Sequence, residues 1–267
     1  MRILLRSEIE IIESNLEDHT PFFDPDKTYQ LGDIVRKDTS LFECTKATEE
    51  GAKPNFDTDF TFKCADNTTA AFDSAINTIS EAEGYIKIRI KTKGSIFLSN
   101  FECDYLRVSL LDSNYLEKYT RGTYLSGGQY LLENSGAAAY DIYLENAPGK
   151  MAKIGVIFCG EFKNIGITEY QGSLSIEDFS KITTDEEGRT SIKIGYTRKT
   201  YKSTILLPLK DLDWALKIIE ANKSIPSVVE LSNALECLTF FGLIRNVDIS
   251  FLSRDHVSLD LECEELT

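Results

Sequence analysis

Residues 155–199 read GVIFCGEFKNIGITEYQGSLSIEDFSKITTDEEGRTSIKIGYTRK, and the chain changes character across them. The stretch opens inside a buried strand, Ile154 to Cys159, and is then punctuated by Gly160, Gly166 and Gly172. Glycines so spaced loosen the backbone, so they predict a long surface connection from Gly160 to Gly172. A loop that orders only on assembly is the other reading of those residues. The polar turn Thr184-Asp185-Glu186-Glu187-Gly188 then feeds an alternating strand, Ser191 to Tyr196. Small β modules lie before this stretch and an α+β unit lies after it.

Upstream, residues 84–160 read as all-β. From Tyr85 to Lys91, Ile86, Ile88 and Ile90 alternate with Lys87, Arg89 and Lys91, the pattern of a strand with one wet face. Further strands are expected at Ser95–Leu98, Tyr105–Leu110, Gln129–Leu132, Tyr140–Leu144 and Ile154–Cys159. Turn signals separate them at Asp112-Ser113-Asn114, Gly127-Gly128 and Ala147-Pro148-Gly149. Strands this short and regular predict a jelly-roll-like sandwich.

Downstream, strands are expected at Ser191–Tyr196 and Ser203–Leu207. A helix follows from Lys210 to Asn222, with Leu212, Ala215, Leu216 and Ile219 on one stripe and Asp211 and Asp213 in its first turn. Trp214 sits beside that stripe and reads as a core or interface anchor. Strands Leu238–Ile244, Val247–Leu252 and Val257–Cys263 complete this half. In the last, Val257, Leu259, Leu261 and Cys263 face inward, and Ser258, Asp260, Glu262 and Glu264 outward. A helix on an antiparallel sheet is the expected arrangement.

At the other end, residues 1–20 offer one strand, Glu8 to Glu13, and a polar lead-in. From Pro21 to Cys64 the chain turns aromatic, with Phe22, Phe23, Tyr29, Phe42, Phe56, Phe60 and Phe62 among Pro25, Gly32 and Pro54. Ile34–Lys37 and Leu41–Cys44 form a hairpin about Asp38-Thr39-Ser40. A module this short leans on a neighbour or a disulfide. The fold class is therefore mainly β with an α+β C-terminal part: a small β-hairpin module, a jelly-roll-like β-sandwich, then an antiparallel sheet with one main helix. Domain boundaries fall at 1–20 for the N-terminal strand or arm, 21–64 for the small module, 65–160 for the sandwich and 161–267 for the α+β domain.

The 43 acidic and 29 basic side chains give a formal charge of −14, which repels phosphate backbones and excludes nucleic acid across a broad face. No stretch approaches the ~20 apolar residues of a membrane span, so no membrane insertion is expected. Arg6, Glu8 and Glu10 interrupt the N-terminal apolar run, so no signal peptide is expected and synthesis is in a cytoplasm. Cys44, Cys64, Cys103, Cys159, Cys237 and Cys263 form no CxxC pair, which speaks against a zinc site. Two readings of them stand: buried free thiols, or disulfides joining Cys44 to Cys64 or Cys237 to Cys263.

The only histidines are His19, in a linker, and His256, in a turn, and neither has a nucleophile elbow nearby. Gly166 to Gly172 is glycine-spaced but carries no P-loop lysine. Asp185-Glu186-Glu187 lacks the alternating ligands of a calcium loop and reads as a solvated turn. A glycosidase needs only two carboxylates, and the acidic side chains give no way to choose a pair. No catalytic, cofactor-binding or metal-ligating residue is singled out, no cofactor is expected, and the chain reads as a non-enzyme.

Two resemblances bear on function. Tyr29-Gln30-Leu31-Gly32-Asp33-Ile34-Val35, followed by Leu41-Phe42-Glu43-Cys44, resembles the small chitin-binding-like carbohydrate modules. Where sugar-binding members carry a tryptophan after the second strand, this chain has Thr45-Lys46-Ala47-Thr48. The closing tryptophan is also missing, with Phe56 or Phe60 nearest. Tyr29, Gly32 and Val35 are therefore read as fold residues, and the module as a structural or docking version.

The second resemblance lies in the opening stretch. Gly166-Ile167-Thr168-Glu169-Tyr170-Gln171-Gly172, then Asp178-Phe179-Ser180-Lys181, then Asp185-Glu186-Glu187-Gly188 and Tyr196-Thr197-Arg198-Lys199, is similar to a family of tailed-bacteriophage virion proteins. Such proteins often begin with the chitin-binding-like module and place a β-sandwich between. Here Phe60-Thr61-Phe62-Lys63-Cys64 replaces their usual tryptophan-rich joint. The likeness implies a structural component of the tail, baseplate or neck, located in the virion. Its partners would be other virion proteins and further copies of itself. The alternative is a carbohydrate-binding adhesin or receptor-binding subunit that grips a host surface glycan.

Overall fold

The structure of the protein, a computed structural model, describes residues 1–49, 52–124, 128–133, 136–184 and 189–266. It is mainly β, with several antiparallel sheets and one main helix near the C-terminus. Two compact units divide it, one of Met1–Ser7 with Phe158–Thr267 and one of Glu8–Ile157. The first strand, β1 (Arg2–Arg6), belongs to the former.

The unit Glu8–Ile157 contains β2 (Glu10–Ser14), β3 (Ile34–Lys37), β4 (Ser40–Cys44), the four-residue helix α1 (Phe56–Asp59) and β5 (Phe60–Ala65). There follow β6 (Ser80–Glu83), β7 (Tyr85–Lys91), β8 (Ser95–Glu102), β9 (Tyr105–Leu111), β10 (Glu117–Thr123), β11 (Gln129–Leu132), β12 (Ala139–Glu145) and the first half of β13 (Met151–Asn164). Strands β6 to β13 pair in the orders β6-β13-β8-β11 and β7-β12-β9-β10, with β2 added beside β7. Consecutive strands change sheet at every step except the β9–β10 hairpin, which is jelly-roll connectivity. Ile86, Ile88, Ile90, Ile142 and Leu144 are fully buried, as the alternation of β7 and β12 requires.

The small module is a three-stranded sheet, β3-β4-β5, one strand more than the expected hairpin. Its turn is made by Asp38 in the left-handed region (φ 54°). Tyr29, Val35, Cys44 and Phe60 form its core, and Phe23, Phe42 and Phe56 pack against them. A rigid aromatic cluster replaces the aliphatic core that so few residues cannot supply.

In the other unit, residues 160–164 of β13 pair with β1. The remaining elements are β14 (Ile167–Thr168), β15 (Ser173–Asp178), β16 (Lys181–Thr184), β17 (Thr190–Lys193), β18 (Thr197–Pro208), the main helix α2 (Leu212–Asn222), β19 (Ser227–Glu230), β20 (Thr239–Phe251) and β21 (His256–Glu265). The sheet runs β13-β1-β19-β20-β21-β18-β14, with β15 also on β18. Val257, Leu259, Leu261 and Cys263 all point into its core, with Ile205, Tyr201, Phe240 and Val229. Ala215 and Ile219 of α2 seal that core, Leu212 and Ile218 pack against it, and Trp214 stays exposed.

Several expectations change. The connection expected from Gly160 to Gly172 is strand as far as Asn164, because Gly160 lets β1 approach: a Cβ there would stand 1.8 Å from the Leu5 carbonyl oxygen. Gly166 does the same beside β18, where Ile167 and Thr168 pair with Leu206 and Ile205. The two strands expected at Leu238–Ile244 and Val247–Leu252 are one, β20, with a bulge between Ile244 and Asn246. Strand β17 stops at Lys193 instead of Tyr196, since Gly195 turns its amide to the Ser180 hydroxyl. Strand β18 begins at Thr197, well before Ser203. The first two residues of the expected helix, Lys210 and Asp211, belong instead to a 3-10 turn over Leu209–Asp211. Strands β1, β6, β10, β15, β16 and β19 are not among those expected, and the N-terminal strand expected at Glu8–Glu13 begins at Glu10. Ser258, expected outward, is buried.

Candidate functional site

Residues 173–184 and 189–199 form a two-stranded arm. Its stem is β15 against β18, from Ser173↔Lys202 to Asp178↔Thr197. Strand β21 covers β18 only from Thr200 onward, so residues 176–184 and 189–199 run beyond that pairing as a ribbon. Phe179 donates its amide to the Tyr196 carbonyl at 3.0 Å, and the ladder then continues as β16 against β17. Every residue of β15, β16 and β17 is exposed.

The exposed side chains are apolar where a solvated hairpin would be polar. Ile182 and Ile192 face each other across the ladder at 66% and 64% exposure, and Ile194 and Tyr196 stand at 86% and 81%. Phe179, Ile176 and Leu174 are exposed too. On the opposite face Lys181 stands directly across from Lys193, and like charges so placed destabilise a strand pair. An isolated two-stranded ribbon is marginal in water.

Its stem is stiffened by charge. Glu177 accepts from Nε of Arg198 at 3.1 Å, and Arg198 Nη1 reaches Glu264 at 3.3 Å. Arg245 donates to the other oxygen of Glu264 at 2.7 Å, and the Arg198 guanidinium lies over the Phe179 ring at 5.1 Å. The Arg245 hydrogen bond, aided by Arg198, holds the Glu264 carboxyl below the usual carboxylate range. Hydrogen bonding to Glu177 in turn raises the affinity of Arg198 for its proton.

A second feature lies in the jelly roll. Glu83, Gly84, Tyr85, Tyr143, Glu145 and Asn146 line a cleft of about 450 Å³, closed at its edge by Pro148 and Gly149. The rings of Tyr85 and Tyr143 stand 5.9 Å apart at 32°, and Arg107 lies over Tyr143 at 5.1 Å. Burial, and then Glu145, push the Tyr143 phenol up from its ordinary value.

Residues marked in the sequence fall as follows. Tyr29 and Val35 are buried and Gly32 adopts φ +90°, so all three are fold residues. Phe56 and Phe60 stack on each other at 5.6 Å, and Phe56 is also capped by Lys37, which leaves no flat aromatic pair for a sugar. Phe22 is exposed but lies under Arg36. His19 and His256 are exposed, and His256 opens β21 rather than lying in a turn. No disulfide joins Cys44 to Cys64 or Cys237 to Cys263; Cys44 pairs with Phe60 and Cys64 with Leu41 along one ladder. Asp185-Glu186-Glu187 and Gly188, like Gly127, lie outside the described residues.

Among the described residues no group of three or more His, Cys, Asp and Glu is placed to hold a metal ion, and no helix is long and apolar enough to cross a membrane. The apolar arm escapes sequence reasoning because Ile192 and Ile194 alternate with polar residues as a half-buried strand does. No protein-family model, curated protein or solved structure matches the chain.

Proposed function

We propose that this protein is a structural component of a tailed-bacteriophage virion, assembling through protein–protein contacts in the tail, baseplate or neck, and that it is not an enzyme. The arm Ile176–Lys199 carries the assembly part of this reading. An exposed ribbon that places Ile182 against Ile192 and Lys181 against Lys193 is completed by a neighbouring protein. The phage part rests on the likeness of Gly166 to Lys199 to the virion family, with the small module and the jelly roll ahead of it in the order that family uses. In the particle the partners are other virion proteins and further copies of this chain. The test is quantitative mass spectrometry of gradient-purified tailed particles. A fixed stoichiometry in intact particles is expected, and absence from them contradicts the proposal.

The cleft at Tyr85 and Tyr143 favours a second reading, a carbohydrate-binding subunit. Paired tyrosine faces give a sugar ring its apolar platform, and Glu83 and Glu145 offer acceptors for its hydroxyls. Two carboxylates at the rim disfavour anionic sugars, so neutral glycans are the ligands to try. Saturable binding of a neutral oligosaccharide that Tyr143→Ala removes would favour this reading over the first.

A further inference from the structure

We infer that the arm docks on the outer end of β20 in a second copy of this chain, by adding β17 to its open edge; this rests on the assembly reading of the arm. Strand β19 pairs with β20 only from Thr239 to Gly242. Among the described residues, Val247–Phe251 therefore has a ladder partner on one side alone, β21. That edge displays Ile249 and Phe251, the latter 71% exposed, on the same face as the buried Leu259 and Val257. A free edge with apolar side chains continuous with a core is a template for strand addition.

The chemistry of the two edges matches row by row. On the acceptor, Asp248 stands directly across from Asp260, and on the next row Ile249 stands across from Leu259. On the arm, Lys193 stands across from Lys181, and on the next row Ile192 stands across from Ile182. Each ladder alone carries a like-charged pair that costs stability. Laid antiparallel, with Lys193 opposite Asp248, Ile192 falls opposite Ile249. One face then reads Asp260, Asp248, Lys193, Lys181 and the other Leu259, Ile249, Ile192, Ile182. Two acids then meet two lysines, with the new Asp248–Lys193 contact offsetting the repulsion within each pair, and four aliphatic side chains become one apolar row.

A second copy is the occupant the fold allows. Within one chain the arm's stem is separated from β20 by β18 and β21. Two molecules of net charge −14 repel, so association needs a local cationic, apolar contact, which Lys181, Lys193 and the isoleucines provide.

The test uses the full chain. Sedimentation velocity up to ~100 µM, a range that captures dissociation constants for modest interfaces, should show concentration-dependent self-association. Lys193→Glu should weaken it at least tenfold, and Lys193→Glu combined with Asp248→Lys should restore it. Mixing an Ile192→Cys chain with an Ile249→Cys chain under oxidation should give a disulfide between those two positions, mapped by mass spectrometry. A wild-type monomer at every concentration overturns the inference, as does a double variant no better than the single one. If the chain stays monomeric yet is found at fixed stoichiometry in particles, the arm's partner is another virion protein; the inference falls and the proposed function stands.

Discussion

Arg2 and Glu230 lie directly opposite each other on β1 and β19 and meet as a fork, with Nε to Oε1 at 2.9 Å and Nη2 to Oε2 at 2.5 Å. The Glu230 side chain is almost wholly buried, and Arg2 covers the Phe162 ring at 4.5 Å. This ties the N-terminal strand to residues more than 150 positions away in the sequence on both of its sides. Removing one partner of such a pair strands the other charge. Glu230→Ala should cost roughly 3 kcal/mol in chemical denaturation, the low end for a buried pair because Arg2 keeps some solvent. The loss should barely change between low and high salt, unlike that of the exposed Lys53–Asp26 pair.

Gly160 tests the close approach of β1. Its missing Cβ would collide with the Leu5 carbonyl oxygen, a backbone atom that cannot turn aside. Gly160→Ala should therefore cost at least ~3 kcal/mol, the upper end for overpacking. At Gly136 an added Cβ would have no atom within 4 Å, so alanine there should be accepted within about 0.5 kcal/mol, as at surface positions. Equal, small losses at both sites in urea melts would contradict this packing.

Stability should fall at both ends of the pH scale for separate reasons. Burial pushes the Cys263 thiol up to about 12 and the Cys103 thiol up to about 11, from 9.0. The folded state holds these protons longer than the unfolded chain does. Their contribution is complete below pH 9.0 and is lost as pH rises toward 11 and 12. On the acid side, Glu264 is held below 4.5 by Arg245 and Arg198, so its contribution is present above 4.5 and lost as pH falls through its lower folded value. Denaturation at pH 8, pH 10 and pH 4 reads both limbs. A thiol reagent at pH 8 should label exposed Cys237 well before Cys263.

The arm should be dispensable for folding. Replacing residues 176–198 by a short turn leaves the core of Tyr201, Phe240 and Leu259 intact. Its melting temperature should stay within ~3 °C of wild type, since exposed segments contribute little to global stability. A loss of more than ~10 °C, equivalent to several kcal/mol in a domain this size, would mean the ribbon is part of the core.

Where the sequence was legible, one element carried its own signal. The isoleucines of Tyr85–Lys91 and the apolar series Val257 to Cys263 fix their faces by period-two alternation, and the stripe of α2 does so by helical spacing. Strand β1 gave no such signal, because three apolar residues between two arginines acquire meaning only from β13 and β19. Gly160 was misread because a glycine that frees the backbone and one that admits a neighbouring strand look alike in one dimension. Strands β6 and β10 are polar edge strands, legible only by their partners. The arm is the reverse case: Ile192 and Ile194 show the alternation of a half-buried strand, yet both are exposed.

The most direct measurement is immunogold labelling of whole tailed particles with antibody to this chain. Label confined to one axial position of the tail, baseplate or neck is the predicted result. Label on host cells with none on any particle would contradict the account and leave the tyrosine cleft as the feature to pursue.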